Sequence, residues 1–218
     1  MRKKGVIFDM DGLMFDTQRI YDQAYHDVGL RDYGVVFTDE MLASMAALSG
    51  DDMYRRINSF FPDLDAPEFM RRGLVLYRER IAAGITPMPG LEVLLSYLMR
   101  QDCRIGLNSG SVRDIVEKNL GNAGLSGCFS GILCGDEISV GKPDPEGYLR
   151  VAAMIGCDPA DCYVLEDSVN GILAGYRAGC SVIMVPNGVE PDDGIRSMCA
   201  GVYKTLADVR EAMEAGIL

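Results

Sequence analysis

GVIFDMDGLMFDT, residues 5–17, joins a short apolar run to two aspartates that lie one residue apart. The run GVIF has the character of a buried strand in a parallel sheet, and Asp9 and Asp11 follow where that strand is predicted to end. Two carboxylates at this spacing repel each other, so a loop with a purely structural role would turn with other residues. The stretch therefore predicts a buried strand that carries two acids to one edge of a sheet.

The second half of the chain continues the same pattern. Short apolar runs alternate with amphipathic stretches, and the runs are RIGLNS (104–109), GILCG (131–135), CYVLED (162–167), SVIMVP (181–186) and, more weakly, GVY (201–203). Two of the amphipathic stretches end at Gly156 and Gly179, as helices often do. Buried runs that alternate with helices indicate βαβ units, so the predicted fold class is α/β with a parallel sheet.

Residues 16–84 depart from this alternation and have helical patterns throughout. The helical stretches are DTQRIYDQAYHDVGL (16–30), TDEMLASMAAL (38–48), DDMYRRINSFF (51–61) and PEFMRRGLVLYRERIAAG (67–84). Thr38 and Asp51 are predicted N-caps. We therefore expect two domains, an α/β core formed by residues 1–15 and 85–218 and a helical insertion formed by residues 16–84.

Composition excludes several classes of function. The chain has 218 residues, of which 48% are hydrophobic and 24% charged, and it contains no apolar stretch near the roughly 18 residues of a membrane helix. A formal net charge of −11 argues against a nucleic-acid partner. Seven cysteines without a C-x-x-C pair are typical of reduced thiols, and His26, the only histidine, has no companion that would make it a ligand. We expect a cytoplasmic monomer with a small ligand, no nucleic acid and no membrane.

Polar residues end the predicted strands, at the edge where open parallel sheets bind their ligands. They are Asp9 and Asp11 after the first run, Ser109 with Gly110 and Ser111 after the second, Lys142 in the loop that follows the third, and Glu166 and Asp167 after the fourth. Four carboxylates could not all stay ionised together without a cation, and oxygen ligands favour Mg²⁺. Backbone N–H groups after Ser109 and the ammonium of Lys142 offer an anion site. The set predicts a site for phosphoryl transfer.

Each of these residues also has an ordinary structural interpretation. Asp9 could be a turn residue, Ser109 could cap the following helix, and Lys142 could be solvated. The pair Glu166–Asp167 could cap a helix that starts near Ser168. Their joint placement after successive strands favours the functional interpretation.

Four motifs carry a resemblance to a known family. FDMDG (8–12), NSGS (108–111), GKPDPEGY (141–148) and LEDSVNG (165–171), in this order and spacing, resemble the motifs of the haloacid dehalogenase superfamily. The chain is most similar to the β-phosphoglucomutase-like phosphatase branch. The resemblance implies a Rossmann-like three-layer core and a helical-bundle cap, inserted after the first strand, that selects substrate.

The resemblance also implies a role for each catalytic residue. Asp9 would attack phosphorus and form an aspartyl-phosphate, and Asp11 would act as general acid and then as general base. Ser109 and the Gly110 amide would bind the phosphoryl oxygens. Lys142 would neutralise charge on Asp9 and on the phosphoryl group.

The implied cofactor is Mg²⁺. Asp9, Asp167 and the backbone carbonyl of Asp11 would ligate it, with Glu166 as a further ligand or directly beside the ligands.

The superfamily includes several reactions, and the sequence separates some of them. Dehalogenases do not need the acid at Asp11, so its presence favours phosphate esters. Phosphonatases use a cap lysine, whereas this chain has no lysine between Lys4 and Lys118. We expect an Mg²⁺-dependent phosphatase that hydrolyses a small phosphorylated metabolite, in particular a sugar phosphate.

A sugar phosphate mutase of the β-phosphoglucomutase type is the alternative. In that branch a histidine follows the first motif, and here Tyr21 falls at its place, while Ala46 and Gly50 stand where Lys and Arg are expected. The cap arginines, Arg19, Arg55 and Arg56, could replace those cations.

A signalling domain that accepts phosphate on aspartate is an alternative from another class, but the D-x-D spacing and the helical insertion argue against it. A non-catalytic protein that kept the fold is a third possibility, which four intact motifs disfavour.

Overall fold

The computed structural model describes residues 3–45, 48, 50–188 and 190–218. The chain divides into two compact units, Met1–Asp16 with Thr86–Leu218 and the continuous segment Thr17–Ile85, which we call the core unit and the insert unit. The domain limits expected from the sequence lie within one residue of these divisions. A function of the insert unit as a cap stays a prediction.

The core unit is built on one parallel sheet. Its described strands are β1 (Gly5–Phe8), β2 (Arg104–Asn108), β3 (Gly131–Leu133), β4 (Cys162–Glu166), β5 (Ser181–Met184) and β6 (Cys199–Val202), in the order β3-β2-β1-β4-β5-β6. Phe8 of the central strand β1 pairs with Leu107 on one side and with Leu165 on the other. The apolar runs of the sequence are confirmed as strands, and the last one begins at Cys199, two residues before the predicted GVY.

The insert unit is helical, as the sequence predicts. Its helices are α1 (Thr17–Val28), α2 (Asp39–Ala43), α3 (Gly50–Phe60) and α4 (Ala66–Ala83), and a π-helical turn, Gly29–Tyr33, directly follows α1. Aromatic rings fill its core, where Phe37 stacks on Phe69 with centroids 4.7 Å apart and Tyr25 packs on Phe69 at 5.3 Å. The unit therefore has a hydrophobic core of its own.

One of the two predicted N-caps is correct. The Thr38 side chain accepts a hydrogen bond from the Met41 amide and caps α2. The prediction for Asp51 is wrong, because α3 already begins at Gly50 and Asp51 lies in its first turn, where an acid complements the helix dipole instead. Residues 46 and 47 of the predicted helical stretch 38–48 lie outside the described residues, and α2 ends at Ala43.

Both faces of the core sheet are covered. Ile7 and Phe8 point to opposite faces of β1, and neither is exposed. The covering helices of the core unit are α5 (Leu91–Arg100), α6 (Arg113–Asn122), α7 (Glu146–Met154), α8 (Val169–Arg177), α9 (Asp193–Met198) and α10 (Leu206–Glu214). The result is the Rossmann-like three-layer architecture that the sequence predicts. Gly156 and Gly179, which follow α7 and α8, have positive φ angles of 64° and 81°, as expected of helix C-terminal glycines.

Two further expectations concern the cysteines and the membrane. All seven cysteines are free, and Cys134, Cys162 and Cys180 are buried. Within the described ranges, none of the helices has the length and apolar character needed to cross a membrane.

Candidate active site

The sheet order determines where the predicted site residues meet. From β1 the chain continues to β2 and β3 on one side of the sheet and returns to β4, β5 and β6 on the other, so the order of the strands switches beside β1. Ligands of open α/β sheets bind at such a switch point, beyond the carboxyl ends of the strands. Asp9 follows β1 there, Ser109 follows β2, and Glu166 is the last residue of β4.

Lys142 connects two carboxylates at this edge. Its Nζ donates a hydrogen bond to Asp9 Oδ1 and another, of 2.5 Å, to Glu166 Oε1. Asp9 is 4% exposed and Glu166 is fully buried, and the Lys142 side chain is only 19% exposed. The alternative interpretation of Lys142 as a solvated loop residue is therefore wrong.

Glu166 is held by more donors than Lys142 alone. Tyr148, on α7, donates its hydroxyl to Glu166 Oε1 at 2.5 Å, and the ring lies 5.3 Å from Lys142 Nζ. The other oxygen, Oε2, accepts hydrogen bonds from the Asp167 amide and from the amide and hydroxyl of Ser168, at 3.0–3.2 Å. Helix α8 can lie close to Glu166 because residue 171 is glycine. A Cβ at this position would collide with the Glu166 carboxylate.

Asp11 faces the loop after β2. Its Oδ2 accepts hydrogen bonds from the hydroxyls of Ser109 and Ser111, each 2.9 Å long. Ser109 is fully buried, and its Oγ also accepts the Ser111 amide at 2.9 Å, which closes the loop around the exposed Gly110. Ser109 does not cap the next helix, because Val112 occupies the N-cap position of α6.

The turn after Asp11 depends on glycine. Gly12 has a φ of 91°, and a Cβ at this position would lie 2.9 Å from Asp167 Cγ and closer still to Oδ2. The Gly12 carbonyl accepts a hydrogen bond of 3.1 Å from Asn187, which follows β5. Gly12 thus lets the turn and the Asp167 carboxylate approach each other.

The site carries more negative charge than its protein groups neutralise. Burial raises the pKa of Asp9 well above its usual range, and Lys142 offsets this only in part because Glu166, Asp167 and Asp11 raise it further. Burial and the neighbouring Glu166 raise the pKa of Asp167 to about 7. Burial acts on Glu166 as well, but Lys142 and the other donors to its oxygens keep its pKa below the usual value.

A divalent cation would balance this charge. Oxygens of Asp9, Glu166 and Asp167 all lie within 4.8 Å of one another. An all-oxygen set of carboxylates fits a hard ion such as Mg²⁺. The Asp11 side chain faces Ser109 and Ser111 instead, so Asp11 would contribute to such a metal site through its backbone carbonyl, as the family resemblance implies.

The residues that end the strands are predicted from the sequence, but several side chains that surround them are not. A tyrosine on an amphipathic helix is typical of a core residue, so the sequence does not distinguish Tyr148 from one, whereas Ser111 follows the second strand with Ser109 and Gly110 and is predicted to lie at this edge. Asn187 could have been found, since it follows β5 at the same edge of the sheet. Ser168 proves to be the N-cap of α8, with its hydroxyl accepting from the Gly171 amide at 3.1 Å.

Comparison with known proteins gives a consistent picture. Residues 3–179 match the sequence model of the haloacid dehalogenase-like hydrolase family. The fructose-1-phosphate phosphatase of Escherichia coli K12 is 30% identical over 188 residues, which cover 84% of this chain and 97% of that protein.

Solved structures agree as well. A haloacid dehalogenase-family hydrolase of Deinococcus radiodurans R1, solved with bound phosphate and sodium, has a TM-score of 0.83 at 26% identity. The matched region covers 99% of this chain and 97% of that protein's chain. The β-phosphoglucomutase of Clostridium difficile has the same fold, with a TM-score of 0.77 at 22% identity over 100% of this chain and 97% of its own.

Proposed function

The chain belongs to the haloacid dehalogenase-like hydrolase family, and we propose that it is an Mg²⁺-dependent phosphatase that hydrolyses a small phosphorylated metabolite through an aspartyl-phosphate on Asp9. The observation that carries the proposal is the buried Asp9 carboxylate, which is hydrogen-bonded to Lys142 at the switch point of the sheet. A buried carboxylate that faces a fixed ammonium is suited to attack an anionic phosphate ester, because the ammonium offsets the repulsion between the two anions.

In the proposed first step, Asp9 attacks phosphorus and the bond to the leaving oxygen breaks. Asp11 protonates that oxygen, so the alcohol leaves neutral. The hydroxyl of Ser109 and the amide of Gly110 bind the phosphoryl oxygens, and Lys142 holds positive charge beside them. These residues supply the electrostatic stabilisation on which phosphoryl transfer depends.

In the proposed second step, water hydrolyses the aspartyl-phosphate. Asp11 now accepts the proton of the attacking water, which returns the residue to its starting state and frees Asp9. When bound, Mg²⁺ would supply charge neutralisation at the phosphoryl oxygens. Asp9, Asp167 and the Asp11 carbonyl would hold it, with Glu166 as a ligand or directly beside the ligands.

We propose a sugar phosphate as the substrate class, because the relative of 97% coverage is a fructose-1-phosphate phosphatase. The insert unit would act as the cap that selects it. Tyr21, which stands where a mutase has histidine, packs between the rings of Tyr25 and Tyr77, with centroids 4.2 and 5.6 Å away. A tyrosine ring packed among other aromatic rings does not supply the imidazole that a mutase has at this position. This supports hydrolysis rather than the mutase reaction. A cytoplasmic location and a monomeric state stay predictions.

The test is Asp9→Asn with p-nitrophenyl phosphate and Mg²⁺. Asp102→Asn is the matched control, because Asp102 is exposed and its φ of 53° is one that asparagine also tolerates. We expect turnover to be lost in Asp9→Asn, unchanged in Asp102→Asn, and abolished in the wild type by EDTA. Turnover near the wild-type rate in Asp9→Asn would exclude the nucleophile, and full activity in EDTA would exclude the metal.

A screen against phosphorylated metabolites then identifies the substrate. β-Glucose 1-phosphate belongs in it, with one readout for free phosphate and one for glucose 6-phosphate. Phosphate release would support the phosphatase, whereas glucose 6-phosphate without phosphate release would assign the chain to the mutases.

A further inference from the structure

We propose that Tyr148 is a positioning residue, whose hydroxyl orients Glu166 so that Lys142 stays directed at Asp9. The kinetic consequence of this inference rests on the proposed phosphatase function, whereas its structural consequence does not. Tyr148 lies six residues after Lys142 in the sequence, on the first turns of α7.

The hydroxyl of Tyr148 has a defined partner in a buried place. The residue is fully buried, and its O–H donates to Glu166 Oε1 at 2.5 Å. A phenol has an ordinary pKa of about 10, so its hydroxyl carries a proton at neutral pH and can donate it. A hydrogen bond from a neutral donor to a buried carboxylate is among the stronger kinds in proteins.

The backbone of α7 keeps this donor close to the sheet. Gly147, the residue before Tyr148, packs against the end of β2, where a Cβ would lie 2.5 Å from the buried Asn108 Oδ1. Any larger side chain at 147 would push the helix outward. The absence of a side chain at residue 147 therefore lets α7 lie close enough to the sheet for the Tyr148 hydroxyl to reach Glu166.

One oxygen of Glu166 is shared between Tyr148 and Lys142. Oε1 accepts from both, while Oε2 is occupied by the amides of Asp167 and Ser168 and by the Ser168 hydroxyl. A carboxylate has about four acceptor sites, and the five donors around this one restrict its rotation. Tyr148 takes one acceptor site of Oε1, and the Lys142 ammonium donates to the other from its position between Glu166 and Asp9.

Loss of the hydroxyl should change this arrangement without removing the ring. In Tyr148→Phe, Glu166 keeps its charge but loses one donor, so Oε1 attracts Lys142 more strongly and draws it away from Asp9. The phenyl ring still fills the same volume and still faces Lys142, which lies 5.3 Å from the ring centroid in the wild type. The variant thus separates the hydroxyl from the packing of the residue.

The first experiment compares the kinetics of Tyr148→Phe and Tyr97→Phe. Tyr97 lies on α5 and is also buried, at 5% exposure, so its variant removes a hydroxyl from the same unit. We expect kcat of Tyr148→Phe to fall about tenfold with KM changed by less than about twofold, because one hydrogen bond to a charged group is lost while the phosphate-binding loop is kept. Tyr97→Phe should keep the wild-type kcat.

The second experiment observes Lys142 itself and needs no turnover. The chain has five lysines, so ¹⁵N-lysine labelling gives few side-chain ammonium resonances, and Lys142→Arg assigns the one that belongs to Lys142. We expect this resonance to shift in Tyr148→Phe and to stay in place in Tyr97→Phe.

The outcomes separate the two proposals. A kcat of folded Tyr148→Phe within about twofold of the wild-type value overturns the positioning role, and so does an unchanged Lys142 resonance. If the wild type hydrolyses no phosphate ester but the resonance shifts, the proposed function fails and the positioning of Lys142 stands.

Discussion

Replacing Gly12 by alanine tests how closely the turn after β1 packs against Asp167. The φ of 91° at Gly12 is unfavourable for alanine, at a cost of about 1–2 kcal/mol in the free energy of folding. The added Cβ would also lie 2.9 Å from Asp167 Cγ, whereas ordinary contacts begin at 3.4 Å. The carboxylate or the turn must therefore move by at least about 0.5 Å, the tolerance within which catalytic groups must be held.

Gly179→Ala is the matched control for the backbone cost. Gly179 has a φ of 81°, and a Cβ there would have no neighbour within 4 Å among the described residues. Both variants should lose about 1–2 kcal/mol of unfolding free energy in urea titrations, and Gly12→Ala should lose more because of the steric contact. Only Gly12→Ala should lose kcat, by about tenfold or more, and require a higher Mg²⁺ concentration for half-maximal rate.

The comparison of the two variants determines whether the steric argument holds. A Gly12→Ala protein with the stability of Gly179→Ala, the wild-type kcat and the wild-type Mg²⁺ requirement would refute it. That result would mean that the turn relaxes without moving Asp167.

Two further predictions concern pH and a helical glycine. In metal-free protein, Asp167, with its pKa of about 7, keeps a proton that the unfolded chain releases near pH 4, so stability should fall as the pH rises from about 4 to 7. Mg²⁺ should therefore raise Tm more at pH 8 than at pH 5, and equal shifts would contradict the charge argument. In the insert unit, Gly73→Ala should destabilise although alanine favours helices, because its Cβ would lie 2.5 Å from Tyr25 Cδ1. Gly121→Ala on α6, whose Cβ would lie 4.0 Å from Ser126 Oγ, should instead raise the free energy of unfolding by up to about 1 kcal/mol. Urea denaturation measures both variants, and an equal effect at the two sites would contradict the prediction.

The strands of the core could be predicted because each is buried on both faces. A doubly buried strand leaves a continuous apolar run such as GVIF or CYVL, and the polar residue that follows marks its end. The meeting of Asp9, Ser109 and Glu166 could be predicted for the same reason, since parallel strands end at one edge. Strand order and register could not, because they depend on pairings between segments roughly a hundred residues apart in the sequence.

What surrounds the acids was harder to predict. Tyr148 reaches Glu166 only because Gly147 brings α7 close to β2, and a local periodicity contains no information on that distance. The prediction of Asp51 as an N-cap is wrong because an aspartate is favoured at two neighbouring positions, at the N-cap as a hydrogen-bond acceptor and in the first turn as a negative charge. The π-helical turn at Gly29–Tyr33 has no pattern of its own that distinguishes it from a continued α-helix.

The strand order also determines when the candidate active site can assemble during protein synthesis. The central strand β1 precedes the other described strands in the chain, but its neighbour β4 begins only at Cys162, after the whole of the insert unit and two other strands have been translated. The insert unit is continuous in sequence and can form its contacts early, whereas the core must wait for distant segments to pair. A nascent chain that has not reached Asp167 has Asp9 without Lys142 and Glu166 together around it. Chains that stop short of β4 should accordingly be inactive and exposed to proteolysis.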